Sequence, residues 1–238
     1  ITIVHTHGSG CYGHNPADDV AFDAALIAKQ FPGKPVRVLW SREDELSAGP
    51  LQSAMQIKVV AEIDAQGRPQ DWTVDLWSGT HGQRPLMWGG ANLIGAYALP
   101  DPPTLPELQD IPDGGGGGGV RNAVLLYDFP QKINHHFVPK TPVRTSSFRG
   151  LGAFGNVFAL ESFMDELAAA AGQDPVRYRL SLLSDPRGRA VIEAAAAMSG
   201  WKEGAPAGTG KGRGIAFARY KNRAGFIALV SEVEVEAE

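Results

Sequence analysis

Arg149 stands at the head of a run of permissive backbone. Glycines follow it at Gly150, Gly152 and Gly155, so the chain there can take conformations closed to other residues and can approach a ligand closely. From about Ala153 the residues Val157, Leu160, Met164, Leu167 and Ala171 recur at helical spacing and form one apolar stripe. A guanidinium beside the free N–H groups of a helix's first turn is chemistry for holding an anion. The same residues also suit a plain strand-to-helix turn with Arg149 as a surface cation. Spacing alone leaves both readings open.

A second glycine run, Gly8-Ser-Gly-Cys-Tyr-Gly13, matches G-x-G-x-x-G near the start of the chain. Around it, Ile1–His7 reads as a strand, and Ala17–Gln30 as a helix with Val20, Ala24, Ile27 and Phe31 on one face. Asp18 and Asp19 fall in that helix's first turn, Gly33 closes it, and Val36–Trp40 reads as a buried strand. The first forty residues are therefore expected to form a β-loop-α-β unit. In a dinucleotide fold the last glycine already lies in the helix, and an acid about 20 residues on binds the ribose. Here His14-Asn-Pro16 intervenes and the acids Glu43 and Asp44 come late, which counts against a nucleotide at the Gly8–Gly13 loop.

The remaining elements frame these two loops. Ser41 caps a short helical turn after Trp40, and Gln56–Asp64 with Asp71–Ser78 make a hairpin about Gly67, with Ile57, Val59, Ala61 and Ile63 inward. Prolines at 100, 102, 103, 106 and 112 exclude regular structure, and Gly114 to Gly119 read as a flexible linker. Order is expected again at Val124–Tyr127 and in a strand over Ile133–Val138. Asp174-Pro175 and Asp185-Pro186 each open a helix, the second with Val191, Ala194, Ala195 and Met198 inward up to Gly200. Strands then run over Ile215–Arg219 and from Phe226 onward. The sum is an α+β chain of mixed sheets with packed helices, divided as 1–99, a linker at 100–119, and 120–238.

Ser147-Phe-Arg-Gly-Leu-Gly, Glu161-Ser-Phe-Met-Asp-Glu-Leu-Ala and Gly172-Gln-Asp-Pro-Val-Arg-Tyr-Arg-Leu resemble the large subunit of molybdenum hydroxylases, the xanthine dehydrogenase and aldehyde oxidase group. Within it, the likeness is to bacterial nicotinate, isoquinoline and membrane-bound aldehyde dehydrogenases. Gly10-Cys-Tyr-Gly13 resembles that group's other molybdenum-side loop, with Tyr12 where the family has Phe. Trp40-Ser-Arg-Glu-Asp resembles a further family turn. The resemblance implies hydroxylation of a heteroaromatic ring or an aldehyde with water-derived oxygen at a molybdenum–molybdopterin centre, in its cytosine dinucleotide form. It also implies an iron–sulfur partner subunit and a further C-terminal part of the same subunit that carries the general base. By position, Gly10, Tyr12, Gly13, Phe148, Arg149 and Gly150 would bind the cofactor. Leu151 occupies the place where some members put an aromatic against substrate.

Composition narrows the alternatives. A net charge of −4 with no basic run argues against nucleic acid. Cys11 is the sole cysteine, which excludes an internal disulfide or a cysteine-built cluster. No stretch reaches the roughly 18 apolar residues of a membrane span, so the compartment stays open between the bacterial cytoplasm and the periplasmic face of the inner membrane. The absence of an initiator Met suggests a piece of a longer polypeptide. His135 and His136 are adjacent and would face opposite sides of a strand. His5 and His7 would share one face but have no third ligand of known position. No G-x-S-x-G occurs, and Thr209-Gly-Lys-Gly-Arg-Gly214 departs from the P-loop pattern. A nucleotide-binding domain using the Gly8–Gly13 loop and a cofactor-free scaffold, exposing unpaired strand edges, are the remaining alternatives.

Overall fold

Helices open where the sequence places their caps. The structure, a computed structural model, describes residues 1–6, 10, 12–13, 17–84, 92–104, 107–204 and 208–236. In chain order the elements are α1 (Ala17–Gln30), α2 (Arg42–Ala48), β1 (Leu51–Gln52), β2 (Met55–Ile63), β3 (Pro69–Ser78), β4 (Gln131–Phe137), β5 (Thr145–Ser146), α3 (Ala153–Ala170), α4 (Pro175–Ser181), α5 (Pro186–Met198), β6 (Lys211–Arg219) and β7 (Phe226–Glu234). Ser41 and Asp44 form a reciprocal capping box on α2. Asp174 and Asp185 each accept two backbone N–H bonds at the starts of α4 and α5, with proline at the first helical position of both. This is the α+β architecture expected.

The chain divides into two units. The first comprises residues 1–55, 77–119 and 136–151, and the second comprises 56–76, 120–135 and 152–238. In the first, β1 pairs in parallel with β5, Leu51 opposite Thr145 and Gln52 opposite Ser146. Short 3₁₀ turns at Ile94–Ala98 and Asp113–Gly115 interrupt the proline-rich stretch.

The second unit holds most of the three-stranded sheet, in the order β2-β3-β4, and the β6–β7 hairpin. The β2–β3 hairpin turns at Gly67, whose φ of +78° suits glycine. On β2 the inward residues alternate as the pattern requires. Trp72, Val74 and Leu76 of β3 are buried, as are Leu160, Met164 and Leu167 of α3 and Ile192 of α5. Trp72 is boxed by Phe129 and Phe163, with ring centroids 5.2 and 5.3 Å away. Each such aliphatic side chain contributes about 2 kcal/mol by leaving water.

Several expectations are corrected. Ile1–Thr6 and Val36–Trp40 form no strands among the described residues, and Ile1, Val4 and Leu39 are about four-fifths exposed. Among the described residues their β-like composition finds no strand to pair with, so the β-loop-α-β frame of a dinucleotide site does not form there. On α1, Ile27 and Phe31 lie at the surface while Asp19 is buried. On α5 Met198 is 89% exposed, and the inward face runs through Gly188 and Ile192 instead. Finally, the glycine run is not a loose linker at its C-terminal end. Gly117, Gly118 and Gly119 are buried, and Gly116 and Gly117 take positive φ of +90° and +67°. Val124–Tyr127, expected as ordered, packs as turns without a regular element.

Candidate functional site

Pairing of β5 with β1 delivers Ser147 and Phe148 to a turn closed by a bond from Leu151 N to the Phe148 carbonyl, 2.9 Å. Gly150 sits at the turn's third position with φ +88°, which glycine adopts without strain. Leu151 follows with φ +53° although it carries a branched side chain, and it is buried. Such a conformation costs about 1–3 kcal/mol and persists where neighbours hold it. Gln52 Nε2 donates to the Leu151 carbonyl, 3.3 Å.

Side chains clamp the approach to this turn onto the segment Thr80–Gln83. Thr145 Oγ1 donates to the Thr80 carbonyl, Ser146 Oγ to the Gln83 carbonyl at 2.9 Å, and Ser147 Oγ to the His81 carbonyl at 2.5 Å. Asn92 Nδ2 bridges the Gln83 and Thr145 carbonyls at 2.9 and 3.1 Å. These bonds are largely withdrawn from solvent, so each is costly to break.

The first glycine loop meets the second directly. Gly13 forms an antiparallel bridge with Phe148. A Cβ on Gly13 would lie 2.4 Å from the Ser147 carbonyl oxygen and 2.7 Å from the Phe148 carbonyl carbon, and φ is +109°. Only glycine permits this approach. The Arg149 guanidinium lies 5.3 Å from the centroid of the Tyr12 ring, within cation–π range. Gly10, at φ +123°, faces the edge of the same ring. Thus Gly10, Tyr12, Gly13, Phe148, Arg149 and Gly150 come together, with Leu151 next in line. Arg149 belongs to the first unit and α3 to the second, and the guanidinium stacks on Tyr12. Cys11 and His14 lie outside the described residues, as does His7. No group of three or more metal-ligating side chains occurs among the described residues, and no helix there is long and apolar enough to cross a membrane.

Two ion pairs escaped the sequence reading. Arg144 Nη1 donates to both oxygens of the fully buried Asp19, at 2.9 and 3.0 Å, and to the Asn92 carbonyl at 2.9 Å. Its Nη2 reaches the Ala48 carbonyl, and Asp19 also accepts from Ile94 N. This pair ties α1, just after the first glycine loop, to the residue preceding β5. Nothing in the spacing distinguishes Asp19 from Asp18 as the buried acid.

The second pair lies within the second unit. Glu161 accepts from Arg179 Nε at 2.9 Å, Tyr127 OH at 3.0 Å and Phe217 N at 2.9 Å. Asp165 takes Arg179 Nη1 at 2.6 Å. Burial pushes the Glu161 carboxyl above its usual range, opposed by Arg179, and burial with the Glu161 charge raises the Tyr127 phenol well above 10. The adjoining cavity measures about 10 Å³, scarcely one water. Every polar partner is internal, so this part of the motif is scaffold.

An α+β chain in which two glycine loops are held backbone to backbone beside a stacked arginine can be set against known proteins. No family profile matches it. The chain is 33% identical to a nicotinate dehydrogenase subunit of Pseudomonas putida over 250 aligned residues, covering 99% of this chain and 20% of that protein. It is 34% identical to the beta subunit of the isoquinoline 1-oxidoreductase of Brevundimonas diminuta over 231 residues, covering 94% and 26% respectively. Among solved structures, the aldehyde oxidoreductase of Desulfovibrio gigas shares the fold with a TM-score of 0.53 at 19% identity, over 87% of this chain and 22% of that one. The chain belongs to the molybdenum hydroxylase family, the xanthine dehydrogenase and aldehyde oxidase group. It spans about a fifth to a quarter of the length of these curated relatives.

Proposed function

We propose that the protein takes part in oxidative hydroxylation of an N-heteroaromatic or aldehyde substrate, and that this chain supplies one wall of the molybdenum–molybdopterin site. The observation that carries the reading is the pairing of Gly13 with Phe148, which unites the two loops that the sequence marks separately. The residues fit such a group. The missing Cβ of Gly13 lets the two loops close on one another, and Arg149, exposed and stacked on Tyr12, offers a cation to an anionic ligand. When bound, the cofactor would supply the two-electron oxidation, with oxygen derived from water. Phe148, Arg149 and Gly150 would present backbone to it from one side, and Gly10, Tyr12 and Gly13 from the other. Leu151 would border the substrate pocket, where an aliphatic side chain in place of an aromatic leaves room for a larger ring.

The cytosine dinucleotide form of the cofactor, an iron–sulfur partner and a further length of the same polypeptide belong to this proposal. Supporting the last is the outer face of the β6–β7 hairpin. Ile227, Leu229 and Val233 are about 60% exposed there, opposite Ala218, Ala216 and Gly212. The reading also holds that this chain alone neither holds the cofactor tightly nor turns over nicotinate or an aldehyde with a dye acceptor. Molybdenum and oxidised-pterin analysis of the purified chain tests the site. Measurable pterin lost on Arg149→Ala supports the wall assigned here. Measurable pterin that is equal in the wild type and Arg149→Ala refutes the assignment, and absence of pterin from both marks the chain as an incomplete half of the site.

A further inference from the structure

We propose that the glycine run serves the candidate site: Gly118 and the Asp110 carboxylate form a lock that positions the Phe148–Leu151 loop through His81 and Ser147. The proposal rests on the reading that this loop faces the cofactor. Asp110 Oδ2 accepts from Gly119 N at 2.6 Å, and Oδ1 accepts from His81 N at 3.0 Å. His81 is fully buried, and its carbonyl in turn receives Ser147 Oγ. Ser147 is also the residue whose own carbonyl lies against Gly13. One carboxylate thus joins the end of the glycine run to the residue on which the two loops close. Thr80 Oγ1, donating to the Gln109 carbonyl at 2.6 Å and accepting from Gly82 N, fixes the same two segments in register.

Glycine is required at 118 for a local reason. A Cβ there would stand 2.0 Å from Asp110 Oδ1 and 2.4 Å from its Cγ. Since φ at Gly118 lies outside the left-handed region, alanine meets no backbone strain. The carboxylate is the flexible partner, so it swings away and gives up both backbone N–H groups. Gly114, in the same run, has open space around its Cβ position and no positive φ.

Asp110 and Gly118 are therefore positioning residues, and amide hydrogen exchange on the full 238-residue chain tests them. Gly118→Ala is expected to speed exchange over residues 145–151 at least tenfold, while Gly114→Ala leaves it unchanged and exchange in α2 stays at the wild-type rate in both. Ser147→Ala, which removes only the bond to His81, is expected to speed exchange over the same segment and serves should Gly118→Ala fail to fold. Wild-type exchange over 145–151 in Ser147→Ala or in folded Gly118→Ala overturns the lock, as does a rise shared equally by α2. The outcome is independent of cofactor content: measurable pterin that is equal in the wild type and Arg149→Ala sinks the cofactor reading, and loosening of 145–151 in Gly118→Ala keeps the lock all the same.

Discussion

Replacing Gly13 by alanine is expected to part the two loops. The new Cβ would meet the Ser147 carbonyl oxygen at 2.4 Å, the Phe148 carbonyl carbon at 2.7 Å and Arg149 N at 2.8 Å. All three are backbone atoms, so no side chain can yield, and ordinary contact requires a separation about 1 Å greater. The Gly13–Phe148 bridge then opens at a cost of about 1 kcal/mol per hydrogen bond. Alanine at φ +109° adds about 1–3 kcal/mol. The sum, about 2–4 kcal/mol, is a roughly 30- to 700-fold rise in the open population. Tryptic cleavage at the Arg149–Gly150 bond, followed by mass spectrometry, reports that population when reclosing outpaces cutting. Gly33→Ala is the control, because Gly33 shares a positive φ of +76° in the same unit but has nothing within 4 Å of its Cβ position. If Gly13→Ala is cut no faster than Gly33→Ala, the apposition of the loops is wrong.

The second unit gives two further expectations. Arg179→Met leaves Glu161 buried without its countercharge and is expected to destabilise by about 3–5 kcal/mol in urea unfolding. Asp165→Asn, at a carboxylate 40% exposed, should cost about 1 kcal/mol or less. For pH, unfolded tyrosines release their protons near 10, whereas burial holds Tyr127 well above that value and pushes Tyr178 up to about 12. Held protons favour the fold below pH 10, and that contribution is lost as pH climbs from 10 through 12. The urea midpoint should be flat from pH 7 to 9 and fall beyond 10, less steeply in Tyr178→Phe. A midpoint independent of pH up to 12 contradicts this.

Much of the local structure was legible because its causes are local. Ser41, Asp174 and Asp185 announce helix starts through their own side-chain bonds to the following N–H groups, and Gly67 announces a turn by tolerating positive φ. The two glycine loops were also legible one by one, since a missing Cβ is written in the sequence. What joins them is not. The Gly13–Phe148 bridge, the Asp19–Arg144 pair and the hold of Asp110 on Gly119 all depend on which distant segments meet. The strand readings at Ile1–His7 and Val36–Trp40 failed for the complementary reason. Alternation shows that a segment could pair, but a strand exists only with a neighbour to bond it.

Of the blocks that carry the family resemblance, those between Ser147 and Leu180 play different physical parts. In the first, Phe148-Arg-Gly-Leu151, the chain closes a turn, tolerates an unfavourable φ at Leu151 and exposes a cation. In the two that follow, Glu161 and Arg179 bond to each other and to Tyr127, Asp165 and the backbone of β6. A buried ion pair of this kind adds little net stability over an apolar pair of equal volume, but it fixes one arrangement, because any slip of α3 against α4 strands a charge. The first block can be strained because backbone and side-chain bonds from β1 and from Thr80–Gln83 hold it within its own unit. Arg149 and Glu161, twelve positions apart, are thus separated by burial: one is exposed, and the other is satisfied by its neighbours.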